Sequence, residues 1–220
     1  MNRNPFLPLT LAAFAWLNAP QQAGAQAVLE PVARTIQCEK AEVIFLSVAP
    51  KGDRILVGTT KGADVMDLES GKRVFHLEFM EDNSEAVYYA LFNDNGEYVM
   101  LAGFTGKREI WDMKTGKKEG GNLANFPWMP NSLAMKKLNL KVGNSPFDRF
   151  YQQESAQHGD LTAKADKNGT IRFVGKDGAS VQTLMYPENK DQQHRSPCFF
   201  HDSWFITGTD TGKVLFYTLR

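Results

Sequence analysis

The feature that most constrains this chain is an internal repeat. Residues 58–72 read GTTKGADVMDLESGK and residues 103–117 read GFTGKREIWDMKTGK, and the two segments align without a gap. Gly58/Gly103, Thr60/Thr105, Asp67/Asp112, Gly71/Gly116 and Lys72/Lys117 are identical, and Met66/Trp111 and Leu68/Met113 are both apolar. Near the end, Gly208-Thr209-Asp210-Thr211-Gly212 matches Gly58-Thr59-Thr60-Lys61-Gly62 at its first, second and fifth places. A weaker copy begins at Asn168-Gly169, where Gly169 and Gly178 have the spacing of Gly62 and Gly71. Repetition of this kind decides the fold, because each copy is one supersecondary unit.

Each unit carries a second turn upstream. Lys51-Gly52-Asp53 precedes Arg54–Val57, Asp94-Asn95-Gly96 precedes Glu97–Ala102, and His201-Asp202-Ser203 precedes Trp204–Thr207. A unit therefore reads strand, polar turn, strand, Gly-rich turn, strand, Gly-Lys turn, strand, which predicts antiparallel sheet. Gly and Asn at the turns supply the positive φ of tight hairpins. The units span about 41–80, 85–121, 122–186 and 194–220; the third is longer, and its excess falls within 122–160.

Four short strands in about 40–45 residues is the size of a propeller blade. Over residues 41–220 the chain resembles the WD40-like and related β-propeller repeat proteins, through its turn glycines and the Trp111-Asp112 pair. No Gly-His dipeptide opens a unit, and the other copies carry Met66-Asp67, Phe173-Val174 and Phe216-Tyr217 at the Trp-Asp place. The expected fold is all-β and β-propeller-like with about four blades; the alternatives are a β-sandwich or an open half-propeller. The fourth unit ends at Arg220 after its third strand. Val28–Ile36 is predicted to pair beside Val214–Thr218, completing the last blade, removing sheet edges and closing a ring. Pro31 is tolerable on such an outermost strand.

The N-terminus reads as a secretory signal. Arg3 is a short positive region, residues 6–17 are almost wholly apolar, and Ala23-Gly24-Ala25 offers small residues for cleavage. The apolar run is shorter than the roughly 20 residues that span a bilayer. The organisation expected is a signal peptide at 1–25, a closing strand at 26–40 and the repeat domain at 41–220, in a secreted or periplasmic protein. In that oxidising setting Cys38 and Cys198, the two cysteines of the chain, are expected to lie close as a candidate disulfide, with two free buried thiols as the alternative.

Lys plus Arg and Asp plus Glu number 25 each, which argues against nucleic acid as the partner. No nucleophile elbow or zinc-protease helix occurs. His194, Cys198 and His201 match no strong metal spacing, and Asn93–Gly96 and Asp166–Gly169 read as hairpin turns rather than calcium loops. No cofactor is called for. The function expected is a protein-binding or scaffold module; a propeller enzyme with a site at the central channel, and a self-associating structural subunit of an envelope complex, are the alternatives. The partner-binding residues expected are Phe126, Trp128, Met129, Phe147, Phe150 and Tyr151 in the insertion of the third unit, since aromatics in a Pro-rich connection can form a contact surface. N-terminal sequencing of the exported protein is expected to read from about Gln26; a chain that still starts at Met1 contradicts the signal.

Overall fold

The computed structural model describes residues 28–120, 152–185 and 190–220. These form four four-stranded antiparallel sheets. Sheet 1 holds β2 (Val43–Val48), β3 (Arg54–Thr59), β4 (Ala63–Asp67) and β5 (Arg73–Leu77). Sheet 2 holds β6 (Tyr89–Phe92), β7 (Tyr98–Ala102), β8 (Arg108–Asp112) and β9 (Lys117–Lys118). Sheet 3 holds β10 (Ser155–His158), β11 (Leu161–Ala165), β12 (Ile171–Val174) and β13 (Ser180–Leu184). Sheet 4 runs β14 (Phe199–His201), β15 (Trp204–Gly208), β16 (Lys213–Thr218) and then β1 (Arg34–Gln37). The expected blade order of strands is thus observed in all four units.

One apolar cluster lies between each pair of packed sheets. Phe45, Leu56, Val65, Val99, Leu101 and Trp111 join sheets 1 and 2. Ile36, Val43, Ile55, Met66, Val214 and Phe216 join sheets 4 and 1. Ala163, Phe173, Phe205 and Tyr217 join sheets 3 and 4, with Phe173 edge-on to Phe205 at 4.8 Å. Among the described residues the series runs sheet 2, sheet 1, sheet 4, sheet 3, and the sheets do not close into a ring. The sandwich alternative is not what forms.

The N-terminal segment completes sheet 4 as expected. Arg34 to Gln37 pair with Phe216 to Lys213. The regular strand is shorter than Val28–Ile36, and upstream of it the chain holds on by separate contacts. Leu29 bridges Leu219, and the amides of Glu30 and Ala33 donate to the carbonyls of Thr218 and Phe216. Pro31 has no N–H to offer, which interrupts the ladder there. What this strand does not do is close a ring. It joins sheet 4, which packs on sheet 1, whereas closure requires sheets 2 and 3 to meet. The four described strands of sheet 3 all lie within 155–184.

The gap-free repeat of the sequence slips by one residue in space. Val57 pairs with Asp64 and Leu101 with Glu109, so Ala102 rather than Gly103 takes the strand position of Gly58. Gly208 and Ala165 occupy the same position in sheets 4 and 3, opposite Val214 and Ile171. All four are small, and at Gly58 and Gly208 the neighbouring chain passes close over the position. A Cβ on Gly208 would lie 2.3 Å from Val43 Cγ1, and one on Gly58 would lie 3.1 Å from the Val87 carbonyl and 3.3 Å from Ala90 Cβ. Neither glycine is there for a positive φ. The turn residues Asn168 (φ 61) and Gly169 (φ 67) are, as a tight β11–β12 hairpin demands.

The turns are held by acids. Asp67 accepts bonds from the Ser70 hydroxyl and amide, and Asp112 accepts from the amides of Lys114 and Thr115. The Asp of the Trp111-Asp112 pair is therefore a hairpin cap. Glu81 does more. Its carboxylate accepts from the Thr105 hydroxyl at 2.5 Å, the Thr105 amide at 3.0 Å and the Lys107 amide at 2.8 Å, clamping the whole β7–β8 turn. Gly103 has to be glycine here, since a Cβ would lie 2.1 Å from Glu81 Oε2. Burial pushes the Glu81 carboxyl up, but the bonds from Thr105 and Lys107 together outweigh it and hold it below its usual 4.5. A depressed carboxyl stabilises the fold above the unfolded value and loses that contribution as pH falls through the folded one. The urea midpoint is therefore expected to drop as pH falls below about 4.5. Glu81→Gln, which turns an amide donor toward backbone donors, is expected to cost about 1–3 kcal/mol at neutral pH and to flatten that acid dependence. An unchanged acid profile in Glu81→Gln rejects the clamp.

Candidate binding groove beside the first two sheets

The six aromatic-cluster residues expected to bind a partner, Phe126, Trp128, Met129, Phe147, Phe150 and Tyr151, lie outside the described residues. The expected bond between Cys38 and Cys198 is corrected: both thiols are free and buried, in different clusters. Cys38 packs between sheets 4 and 1 with Ile36 and Val43. Cys198 packs between sheets 3 and 4, its thiol 3.8 Å from the Glu154 carbonyl. The reason is the blade order, which places the end of the N-terminal strand and the entry to β14 on opposite sides of sheet 4. Burial, with the charge of Asp64 adding to it, pushes the Cys38 thiol up to about 12, and burial pushes Cys198 up as well. Neither is a nucleophile at neutral pH.

His194, Cys198 and His201 are not brought together. His194 is buried, its Nδ1 2.7 Å from Glu42 Oε1 and its Nε2 3.2 Å from the Ser196 hydroxyl. Although this order resembles a triad, the Ser196 hydroxyl is itself buried and faces the Gly169 carbonyl at 3.4 Å. It ties sheets 1, 3 and 4 together and offers no reacting oxygen. His201 lies on β14, stacked 6.3 Å from Phe199. Toward the inner strands, the Gln153 amide accepts from the Leu46 N–H at 2.9 Å and donates to its carbonyl at 2.8 Å. The side chain thereby ties the entry of sheet 3 to the inner strand of sheet 1.

Two clefts remain. One, of about 350 Å³, lies among the turns at Lys51–Arg54, Asn95–Tyr98 and Asp112–Lys114, whose polar side chains cap their own hairpins. The other, of about 540 Å³, lies where the chain crosses from β5 to sheet 2, over His76, Glu78, Phe79, Met80, Glu109 and Lys118. Its chemistry was not legible as a motif, because it is assembled from separate units.

Two acids at one register position stand at the second groove, Glu109 in its lining and Asp64 bonded to the lining His76. Asp64 on β4 stands opposite Val57, and Glu109 on β8 stands opposite Leu101. The same position holds Arg172, opposite Lys164, in sheet 3 and Leu215, opposite Thr207, in sheet 4. The fold therefore does not require an acid there, and both acids are buried. Each is answered by basic side chains. Asp64 Oδ1 lies 2.7 Å from His76 Nδ1 and 3.5 Å from Arg73 Nη1. Glu109 Oε1 lies 3.2 Å from Lys107 Nζ and 3.3 Å from Lys118 Nζ. Glu109 Oε2 is buried without a hydrogen-bond partner among the described residues. A buried carboxylate oxygen left so is costly, and a side chain present only for packing would not be charged.

No protein-family model matches the chain, and no curated protein does. Among solved structures it is similar to U3-55K, with a TM-score of 0.37 and 11% identity over 84% of this chain and 56% of that one. It is likewise similar to the WD40 repeats of RRP9, with a TM-score of 0.37 and 11% identity over 81% of this chain and 52% of that one. The chain spans about half the length of these structures. The fold itself is read from the four sheets and their pairing.

Proposed function

We propose that this chain is a non-catalytic, exported protein-binding module whose contact surface includes the groove beside sheets 1 and 2. The observation that carries the reading is Glu109, buried in the lining of the groove where sheets 3 and 4 carry Arg172 and Leu215 at the same register position, with its Oε2 lacking a hydrogen-bond partner among the described residues. Burial of charge costs stability, so its presence beside an open groove supports recognition rather than packing. Rigid presentation is the mechanism. The sheets lock through their apolar clusters, and the crossing segments between them hold the side chains that a partner meets.

Catalysis is not supported by the described residues. Both thiols are buried and raised, Ser196 is enclosed, and Gln153 spends its polar atoms on Leu46. The groove is mixed in charge and open, which suits a polar segment of another chain. Export rests on the N-terminal sequence.

The test uses a photo-crosslinking amino acid, p-benzoylphenylalanine, placed in the full chain. Met80 sits in the groove and Met185 just beyond the last strand of sheet 3, and both side chains are exposed, at 49% and 74%. In the native exported fraction, an adduct of one discrete mass is expected from Met80→p-benzoylphenylalanine and none from the same change at Met185. Adducts from Met185 only, or from neither position, overturn the assignment.

A further inference from the structure

Lys107 occupies a small cage. Its ammonium lies 5.7 Å from the centroid of the Phe79 ring, 3.2 Å from Glu109 Oε1, and donates to the Met80 carbonyl. An aromatic face, a carboxylate and a carbonyl around one point are the elements that recognise a cation. Here the cation belongs to the chain itself, on a turn whose backbone is independently fixed by Glu81. Its side chain is 46% exposed, and that of Lys118, the second ammonium on Glu109, is 52% exposed. Both can therefore leave for solvent with little lost, as exposed lysines in surface ion pairs do.

We infer that this cage is a recognition site for a basic side chain of a partner, arginine in preference to lysine, and that Lys107 is its intramolecular stand-in. The inference rests on the reading of the groove as a protein-binding surface and names what that surface takes. Three observations carry it. Both lysines engage Oε1, while Oε2 of the same carboxylate is enclosed and has no hydrogen-bond partner among the described residues, so the charge of Glu109 is answered only from its groove side. A compact ammonium makes point contacts, whereas a planar guanidinium presents several donors to a carboxylate and stacks on an aromatic face. The groove is also lined by Glu39, Glu78 and Glu85 beside Lys61, Lys107 and Lys118, so once Lys107 and Lys118 turn to solvent the acids outnumber the lysine that remains. Finally, the occupant is attached to a fixed turn, so a partner's side chain competes with it at the one point where the site is already shaped.

The experiment is a titration of the full mature chain with the fluorescent peptide acetyl-Gly-Ser-Arg-Ser-Gly-amide and with the same peptide carrying norleucine in place of arginine. The arginine peptide is expected to bind at least about tenfold more tightly, the margin of one charge-assisted contact. Glu109→Gln is expected to weaken it about tenfold, and Lys107→Ala, which removes the competitor, to tighten it severalfold. The opposite signs of the two variants keep the test valid even where Glu109→Gln loosens the fold. Equal binding of the two peptides, no binding of the arginine peptide at millimolar concentration, or weaker binding by Lys107→Ala overturns the inference. A crosslinked adduct from Met80 alongside any of these results removes the ligand class and leaves the binding module standing. Absence of both removes the module as well.

Discussion

The structure depends on how closely one sheet can approach the next. The second strand of each unit ends on a small residue, Gly58, Ala102, Ala165 or Gly208, and at Gly58 and Gly208 the neighbouring chain passes so close that a larger one would not fit. At Gly208 the clearance is least, with Val43 already where a Cβ would be. That approach brings Val43 and Val214 into one cluster and Phe45 and Val99 into another. Close packing of this kind contributes through apolar area removed from water and through dispersion, both of which fall off quickly with separation. A side chain at Gly208 would push sheets 4 and 1 apart and loosen the cluster on both sides.

Much of the fold was legible because the chain repeats. The strands, their order within a blade and the role of the N-terminal strand all followed from turn glycines and alternating apolar runs. The register did not. Gly58 and Gly103 align in the sequence, yet Ala102 takes the place of Gly58, because residues 103–107 make a longer turn than residues 59–62. Nothing in the sequence marks that extra residue; it is the Glu81 carboxylate, reaching from another part of the chain, that fixes the turn. The same non-locality defeated the disulfide. An oxidising compartment and two cysteines make a bond plausible, but geometry decides, and Cys38 and Cys198 belong to the two different clusters that flank sheet 4. The groove was invisible for a related reason. Phe79, Lys107 and Glu109 are scattered through a crossing segment, a turn and a strand, and no spacing rule connects them.

The acids of the structure divide by what they face. Asp67 and Asp112 face the amides of their own hairpins and are held below the usual carboxylate range, Asp67 chiefly by the Ser70 hydroxyl and Asp112 chiefly by the Thr115 amide. Glu81 faces the amides of a neighbouring turn. These three are part of the scaffold, and their removal would be felt as lost stability. Asp64 and Glu109 instead face basic side chains across the fourth strand of their sheets or from an adjoining turn. Backbone amides are fixed and cannot be exchanged, whereas a lysine in solvent can be. A carboxylate bonded to fixed donors is finished, and one bonded to exposed ammonium groups remains open to a competitor.

This difference separates the two acids of the groove from each other as well. Asp64 accepts a bond from the Glu39 amide at 2.7 Å in addition to its pairing with His76, so the backbone joining β1 to β2 anchors one of its oxygens. That anchor serves the N-terminal strand, since Gln37 and Cys38 lie just before it. Glu109 has no such backbone donor among the described residues; its two partners are lysine side chains on one oxygen. Of two residues at the same register position, one is tied into the closure of sheet 4 and the other is held only by groups able to move. Recognition therefore falls to Glu109, and the equivalent position in sheet 1 has been drawn into the architecture that the N-terminal strand requires.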